Sequence, residues 1–324
     1  MSEPRFRPAS PRQLEFWDEM VGRSVNGTIF HTRAFLAYHG ERFRASERWM
    51  IAESDGAILA AINYAEHAEH DIRVALSPYG ASYGGFIFPD VPGYARAADL
   101  VTAFRRHLSE AGLAGFRLTH PIACCAEPSL DSVYFALLEA GCRSTSRDIS
   151  SVMPLPAPDM IERTVSSRAR RNARKAIGLG VQIDLAAPER DFWVPMHATF
   201  EKHAIAPTHS PAQLADLRAR LGERISLCVA YLAGKPVAGI CLFVINSRVV
   251  CSFYLCQTPE GASAQALSLL VLRCLESAAR KGYHYFDLGT SSVAMQARPN
   301  IFRFKEGFAA RGYFRETFEW KETS

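Results

Sequence analysis

Residues 225–256 read ISLCVAYLAGKPVAGICLFVINSRVVCSFYLC, and this stretch decides the fold class. It contains three runs of apolar and β-branched residues, separated by turn signals at Gly234-Lys235 and Asn246-Ser247. Three such runs joined by tight turns predict an antiparallel meander. A helix is predicted next, from about Ala262 to Lys281, because apolar residues recur on one face until a glycine ends the pattern. The strand YHYFDLG follows at residues 283–289.

The first half of the chain repeats this order of elements. Residues 48–67, RWMIAESDGAILAAINYAEH, predict a hairpin around a Ser-Asp-Gly turn, and IRVALSPY at 72–79 predicts another strand. Apolar residues at i, i+4 and i+8 then predict a helix over residues 96–112, and FRLTH at 116–120 predicts the closing strand. The repeat suggests two copies of one unit.

We therefore predict an α+β protein of two tandem domains, each with a mixed, largely antiparallel sheet flanked by helices. The proline-rich segment at residues 154–158 marks the expected boundary, which gives domains 1–155 and 156–324. The last residues, Tyr313 to Trp320, could return to pack on the first domain.

Composition identifies an ordinary folded protein. The 324 residues are 48% hydrophobic and 22% charged, which fits neither a disordered nor a fibrous chain. Eight cysteines are too few for a disulfide scaffold, so we expect reduced thiols in a cytoplasmic protein. The N-terminus, MSEPRFRPAS, lacks an apolar h-region, and the longest apolar run, near Val237 to Ile245, is far shorter than the ~20 residues of a bilayer span, so neither secretion nor a membrane span is expected.

The positive charge is concentrated in one segment. The formal net charge is +4, and residues 162–175 contain six basic side chains and one acidic one. If this segment is helical, Arg168, Arg171 and Lys175 share one face, and Arg170 and Arg174 lie on the neighbouring face. Such a surface suits phosphates, although short charge runs are also common on solvated helices.

A second candidate region is the loop SPYGASYGG at residues 77–85. It matches the G-x-S-x-G pattern of serine hydrolases, but no helix follows the serine, so that activity is not expected. Glycines allow a close backbone approach and tyrosines offer a face and a hydroxyl, so Tyr79 and Tyr83 are candidate substrate-binding residues. A purely structural loop explains the same residues equally well.

The sequence lacks the motifs of several classes of enzyme chemistry. Histidines 197, 203 and 209 are spaced six apart, and no Cys-x-x-Cys pair occurs, so no metal site is expected. Dinucleotide-binding and P-loop motifs are absent, and no permanently bound cofactor is expected. Direct acyl transfer to an amine needs none of these groups, because the protein only aligns the reactants and stabilises an oxyanion.

The segment from Arg298 to Phe308 alternates aromatic and cationic side chains. On a strand, Phe302, Phe304 and Glu306 would face one way, and Arg303 and Lys305 the other. Lys305 could then stabilise an oxyanion, or could simply protect an exposed sheet edge.

Three segments together resemble the Fem-type (FemAB-like) branch of the GNAT acyltransferase superfamily. They are SSRARRNARKAIGLGVQIDL, ARKGYHYFDLGTSS and FRFKEGFAARG, which lie within residues 160–315. The last segment, with its Phe-Lys-x-x-Phe-like motif at residues 304–308, is the most specific. The resemblance implies two tandem GNAT folds and attack of an amine on an activated carbonyl.

The resemblance also implies roles for individual residues. Lys305 would stabilise the tetrahedral oxyanion or position the phosphate or ribose of the donor. Asp287 would orient the amine and Tyr254 would form a hydrogen bond in the cleft, although a strand cap and a half-buried tyrosine are equally good explanations. The candidate donor-binding and phosphate-binding residues are Arg168, Arg171, Arg174, Lys175, Arg303 and Phe304.

The donor is either an aminoacyl-tRNA or an acyl-CoA, used as a co-substrate. GNAT proteins that bind CoA hold its pyrophosphate with backbone N–H groups of a glycine-rich loop before the long helix. Residues 257–264, QTPEGASA, have a different spacing, a proline and a glutamate, which makes this CoA site look degraded. Together with the arginine-rich segment, this favours tRNA as partner.

The expected acceptor is a small-molecule or cell-envelope-precursor amine, bound in the cleft between the domains. Two alternatives are kept: an acyl-CoA-dependent N-acyltransferase on the same scaffold, and a non-catalytic RNA-binding or phosphate-binding protein.

Overall fold

The computed structural model describes residues 2–69, 72–203 and 206–322. The chain forms two compact units, the first from residues 1–148 with 314–324 and the second from residues 149–313. The change from the first to the second unit falls within a strand, several residues before the prolines at 154–158, and the C-terminal residues from Phe314 on belong to the first unit.

The first unit is a mixed sheet with helices. Its strands are β1 (Arg5–Pro8), β2 (Glu47–Ser54), β3 (Ala57–Glu69), β4 (Ile72–Ser77), β5 (Gly115–Thr119) and the C-terminal β14 (Arg311–Lys321), in the sheet order β1-β2-β3-β4-β5-β14. Its helices are α1 (Pro11–Glu15), α2 (Trp17–Arg23), α3 (Arg33–Leu36), α4 (Tyr94–Glu110) and α5 (Asp131–Glu139). β4 and β5 are parallel, and the other pairs are antiparallel.

The core of the first unit follows the sequence pattern. The hairpin forms around Asp55, and the i, i+4, i+8 residues Leu100, Phe104 and Leu108 of α4 are buried against the sheet. A helix with one apolar stripe gains most of its stability from such burial rather than from propensity.

The second unit repeats this arrangement with additional helices. Its strands are β6 (Arg143–Pro154), which begins in the first unit, β7 (Gln182–Asp184), β8 (Ile225–Leu232), β9 (Lys235–Val244), β10 (Val249–Gln257) and β11 (Tyr285–Thr290), in the order β6-β11-β10-β9-β8-β7. Its helices are α6 (Ile161–Thr164), α7 (Ser167–Gly178), α8 (Glu189–His203), α9 (Pro211–Leu221), α10 (Pro259–Ala264), α11 (Ala266–Arg280) and α12 (Pro299–Glu306). A two-stranded ladder joins β12 (Ser292–Val293) to β13 (Gln296–Ala297).

The meander and the parallel β10–β11 pair form the centre of this unit. β8, β9 and β10 are antiparallel neighbours, and β10 pairs with β11 in parallel. The mixed, largely antiparallel sheet flanked by helices that the sequence predicts is confirmed in both units.

The long helix differs in one respect from the sequence prediction. A continuous helix from about residue 262 was expected, but Gln265 adopts the left-handed conformation at φ +59° and separates α10 from α11. A left-handed residue cannot continue a right-handed helix. The break gives the segment before α11 its own short helix.

Two histidines are buried in the first unit. Burial lowers the pKa of His31 to about 4 and that of His120 to about 3, and His31 also disfavours a charge on His120. Within the described residues, neither ring nitrogen of His120 has a hydrogen-bond partner. Both rings are therefore neutral in the folded protein at neutral pH.

This burial predicts acid-sensitive stability. The unfolded chain binds protons at these histidines below about pH 6.5, whereas the folded chain does not until the pH approaches 4. The free energy of unfolding should be largest above pH 7 and should fall between pH 6.5 and 4, by on the order of 3 kcal/mol from His31 alone. Urea unfolding at several pH values measures it.

His120→Phe keeps an aromatic ring beside Tyr134 and Phe318 and removes one titrating group. The free energy of unfolding of this variant should therefore fall less between pH 6.5 and 4 than that of the parent protein. The exposed His67→Gln is the control and should leave the loss unchanged. Equal loss in His120→Phe and the parent protein would contradict the assignment.

Candidate active site

A gap opens in the sheet of the second unit where β10 and β11 part. Their parallel pairing covers Val249–Cys251 and Tyr285–Asp287. Beyond it, β10 continues to pair with β9, and β11 with β6. Strand ends that diverge in this way expose backbone and side chains at the carboxyl end of the sheet, where ligands bind in many open sheets.

Lys305 reaches this gap from α12. Its side chain is buried, with 4% of the residue exposed, and Nζ donates hydrogen bonds to the carbonyl oxygens of Gly289 at 2.8 Å and Thr290 at 2.6 Å. Gly289 has φ +81°, a backbone conformation that glycine adopts without strain. The end of β11 therefore curls around the ammonium group.

Asp287 supports the same turn. Its Oδ1 accepts hydrogen bonds from the backbone N–H of Gly289 at 2.7 Å and from the hydroxyl of Ser150 at 2.7 Å. The carboxylate thus ties β11 to β6 and holds the carbonyls that bind Lys305.

Opposing effects set the pKa of Lys305. Burial lowers the pKa of its ammonium group to about 8, and the nearby Asp287 and Cys251 oppose that shift. A lysine with a pKa near neutrality can be charged at physiological pH and still lose its proton easily.

The segment that carries Lys305 is a helix rather than the strand considered from the sequence. Pro299 at the first helical position and the succeeding turn form α12, on which Lys305 is buried and Arg303 is exposed. Residues two apart on a helix point in different directions, so the shared face expected for Arg303 and Lys305 was wrong. The alternation of aromatic and basic residues masked the proline start signal.

Tyr254 lies on β10, just beyond its last pair with β11. Its hydroxyl oxygen accepts the backbone N–H of His209 at 3.0 Å and lies 2.9 Å from the Nδ1 of the same residue. His209 is buried, with 1% exposed. Sequence reasoning considered His209 only as a metal ligand, and no pattern in the chain pairs it with Tyr254.

A pocket of about 340 Å³ lies on the α7 and α11 side of this sheet. Its lining residues are Ser166, Arg168, Ala169, Asn172, Gln257, Ala262, Gln265, Leu267, Ser268, Asn300, Arg303, Phe304, Gly307 and Phe308. The guanidinium groups of Arg168 and Arg303 are exposed and have no hydrogen-bond or ion-pair partner in the described part of the chain. Two such cations beside an aromatic ring form a surface suited to phosphates.

Helix α7 brings its arginines to this surface by burying alanines. Ala169, Ala173 and Ala176 face the core, which leaves the basic side chains on the exposed side. The basic side chains that the sequence predicts on neighbouring faces of this helix therefore point away from the core.

The other basic residues of α7 do not line the pocket. Arg174 pairs with Glu162 at 3.2 Å and Lys175 donates to the Ser263 carbonyl at 3.0 Å, whereas Arg171 is exposed without a partner among the described residues. The structure thus brings Arg168, Arg303 and Phe304 together.

In the segment before α11, three backbone N–H groups form hydrogen bonds within the segment itself. The N–H of Gly261 bonds Thr258 Oγ1 at 3.1 Å, that of Ala262 bonds the Thr258 carbonyl at 3.0 Å, and that of Gln265 bonds the Ala262 carbonyl at 3.2 Å. A Cβ on Gly261 would lie 2.1 Å from the Val237 carbonyl, so this turn packs tightly on β9. These amides are internally satisfied and do not point at a ligand.

Tyr79 and Tyr83 lie in the first unit and are buried. Tyr79 donates to Glu47 at 3.1 Å, and Tyr83 packs edge-on against Phe30 and below the guanidinium of Arg315. The glycines of this loop allow close packing, because a Cβ on Gly85 would lie 2.7 Å from the His120 ring.

The described residues contain neither a helix that could span a membrane nor a cluster that could bind a metal ion. No helix in the described residues is both long and apolar enough to cross a bilayer. In the same residues, no three or more His, Cys, Asp or Glu side chains come together in a way that could hold a metal ion.

Known proteins resemble this chain in part of its sequence and in its fold. Residues 162–306 match the family model described as an acetyltransferase (GNAT) domain. A crystal structure of FemX superimposes with a TM-score of 0.74 at 10% identity, covering 98% of this chain and 97% of that one. No curated protein sequence matches significantly.

Two other solved structures share the fold at lower similarity. The C-terminal domain of a putative lysylphosphatidylglycerol synthetase from Agrobacterium fabrum has a TM-score of 0.58 at 13% identity, covering 95% of this chain and 91% of that one. A tandem GNAT protein from the clavulanic acid biosynthesis pathway has a TM-score of 0.54 at 13% identity, with 99% of each chain covered.

The environment of Lys305 predicts an unusual titration. In protein labelled with ¹³C-lysine, one side chain should titrate near pH 8, and its signal should be missing in Lys305→Met. Asp287→Asn removes a charge that favours the ammonium form, so it should lower this midpoint further. A midpoint near the ordinary value of about 10.4, or a rise in Asp287→Asn, would contradict the description.

Proposed function

We propose that the chain transfers an aminoacyl group from tRNA to an amine, forming an amide, because residues 162–306 match the acetyltransferase (GNAT) family model and the chain shares its fold with FemX and with a tandem GNAT protein. The acceptor in this proposal is a small-molecule or cell-envelope-precursor amine. The names of the neighbouring structures support the reaction class, since FemX and a lysylphosphatidylglycerol synthetase share this fold.

One observation favours tRNA as donor. The backbone N–H groups of Gly261, Ala262 and Gln265, in the segment that would hold a CoA pyrophosphate in other GNAT proteins, form hydrogen bonds within the protein, whereas Arg168 and Arg303 have no partner in the described chain. The pocket therefore offers two guanidinium groups to a phosphate. Arginine is the residue best suited to nucleic-acid phosphates.

Phe304 supports the same donor. It lines the pocket next to Arg303, and its ring packs at 5.2 Å from Phe308. An aromatic face beside phosphate-binding arginines suits an unpaired terminal nucleotide, because bases stack on such faces in single-stranded RNA complexes.

In the proposed reaction, Lys305 stabilises the oxyanion that forms when the amine attacks the ester carbonyl. Its ammonium group is already oriented by Gly289 and Thr290, so little reorganisation is needed as the negative charge develops. Asp287 acts by fixing those carbonyls. Tyr254, further along β10, would form a hydrogen bond with the incoming amine.

An acyl-CoA is the second candidate donor, since the matching family model is one of acetyltransferases. On this alternative, CoA would enter the same pocket and would raise the melting temperature, whereas tRNA would not.

Binding distinguishes the two donors. Aminoacyl-tRNA should bind with an affinity that falls steeply as salt rises, and CoA should not displace it. Arg168→Ala and Arg303→Ala should each weaken binding several-fold and reduce the salt slope by roughly 0.7, because each removes one phosphate contact. The measurement is fluorescence anisotropy over a salt series.

Arg220→Ala is the matched control, since Arg220 is an exposed arginine of the same unit that pairs with Asp216 at 2.8 Å. Its binding should stay within about twofold of the parent protein. Displacement of tRNA by CoA, or equal losses in all three variants, would contradict a tRNA site in this pocket.

Lys305→Ala should reduce turnover by about 10²–10³-fold while the protein stays folded, because it removes the oxyanion partner. In the parent protein, turnover should fall as pH rises through 8, where Lys305 loses its charge. The exposed Lys281→Ala is the control. Full turnover in Lys305→Ala, with melting curves matched, would remove Lys305 from the mechanism.

A further inference from the structure

His209 lies in the loop that leads into α9 and is enclosed by aromatic rings. Its ring centroid is 5.2 Å from that of Phe253 and 6.1 Å from that of Phe243, and the Tyr254 ring stands perpendicular to it at 6.0 Å. Phe200 of α8 packs edge-on against Tyr254 from the same side of the sheet. The imidazole is thus held in one orientation.

The hydrogen bonds between His209 and Tyr254 limit where the hydroxyl proton of Tyr254 can lie. The backbone N–H of His209 donates to the Tyr254 hydroxyl oxygen at 3.0 Å, and Nδ1 lies 2.9 Å from that oxygen. A phenol has a single hydroxyl hydrogen, so if Nδ1 is unprotonated, the phenol donates to it. The backbone N–H would then stabilise negative charge on the same oxygen.

This pair lies beside the gap between β10 and β11. β10 stops pairing with β11 after Cys251, and Tyr254 follows on the unpaired edge of that strand. Lys305 is bonded to Gly289 and Thr290 on the opposite edge, past Asp287. Tyr254 therefore follows the end of the parallel pairing on β10, and the carbonyls that bind Lys305 follow it on β11.

We propose that His209 is a positioning residue for the transfer reaction and receives the hydroxyl proton of Tyr254 when Tyr254 takes the proton of the attacking amine. This inference rests on the proposed function for its chemistry. It names a proton acceptor for an active site whose other charged groups, Lys305 and Asp287, are engaged with backbone at the end of β11.

The transfer begins when the amine attacks the carbonyl carbon of the donor. The amine nitrogen forms the C–N bond, the carbonyl π pair moves to oxygen, the N–H proton passes to Tyr254 Oη, and the phenol proton passes to His209 Nδ1. The oxyanion then re-forms the carbonyl as the bond to the leaving oxygen or sulfur breaks. The proton returns from His209 through Tyr254 to that leaving atom.

A double-mutant cycle tests this coupling. Tyr254→Phe and His209→Gln should each lower kcat by about 100-fold with KM for the donor within about twofold, and the double variant should be no slower than either, because the two residues act as one unit. Glutamine can accept the phenol hydrogen bond without taking up its proton. Full kcat in His209→Gln, or additive losses, would overturn the proposal.

The first unit supplies a matched control. Tyr64 and His107 form another tyrosine–histidine hydrogen bond, at 3.1 Å, away from the candidate site. Tyr64→Phe and His107→Gln should leave kcat unchanged. A general effect of breaking such pairs on folding would appear in these variants as well.

The tautomer of His209 gives a readout that needs no substrate. In ¹⁵N-histidine spectra of the whole protein, His209 should show an unprotonated Nδ1 that accepts a hydrogen bond, and Tyr254→Phe should shift this signal. A protonated Nδ1 would overturn the proposal, because that nitrogen could not receive a second proton. If neither donor supports transfer, the proposed function fails, and this spectrum still decides whether His209 can accept the proton.

Discussion

The buried ammonium group of Lys305 is the interaction on which the candidate site depends. Taking a lysine out of water is costly unless its protons find acceptors, and here the Gly289 and Thr290 carbonyls accept two of them. Those bonds require the left-handed turn at Gly289, whose backbone N–H donates to Oδ1 of Asp287. The same bonds anchor α12, and α12 carries Arg303 and Phe304 to the pocket. One charge thus links the strand end, the helix and the pocket.

The two faces of the second sheet carry different chemistry. The pocket with Arg168 and Arg303 belongs to the side covered by α7 and α11, whereas Tyr254 and His209 pack with Phe200 of α8. In the proposed reaction, the donor's phosphates would bind on the first side and the amine would lose its proton on the second. The gap between β10 and β11 would then hold the reacting carbonyl, because β10 carries Tyr254 and the end of β11 binds Lys305.

Much of this arrangement could be predicted because it follows local periodicity. The meander, the amphipathic helices, the tandem order and the resemblance around Lys305 all depend on residues close together in sequence. The helical state of α12 was missed because Pro299 was outweighed by the aromatic alternation after it. The break at Gln265 depends on a left-handed backbone conformation, and no glycine in the sequence indicates it at this position. His209 meets Tyr254 across 45 residues, a long-range contact that no spacing rule contains. Burial of Tyr79 and Tyr83 likewise depends on tertiary packing.

The central claim is that this fold forms an amide from an aminoacyl ester at the gap beside Lys305. The most direct measurement offers the protein labelled aminoacyl-tRNAs and labelled acetyl-CoA in parallel, with one set of amine acceptors, and follows label into amide by mass spectrometry. The account predicts amide product from aminoacyl-tRNA and none from acetyl-CoA. Product from acetyl-CoA alone would contradict it, and would place the protein among CoA-dependent acyltransferases.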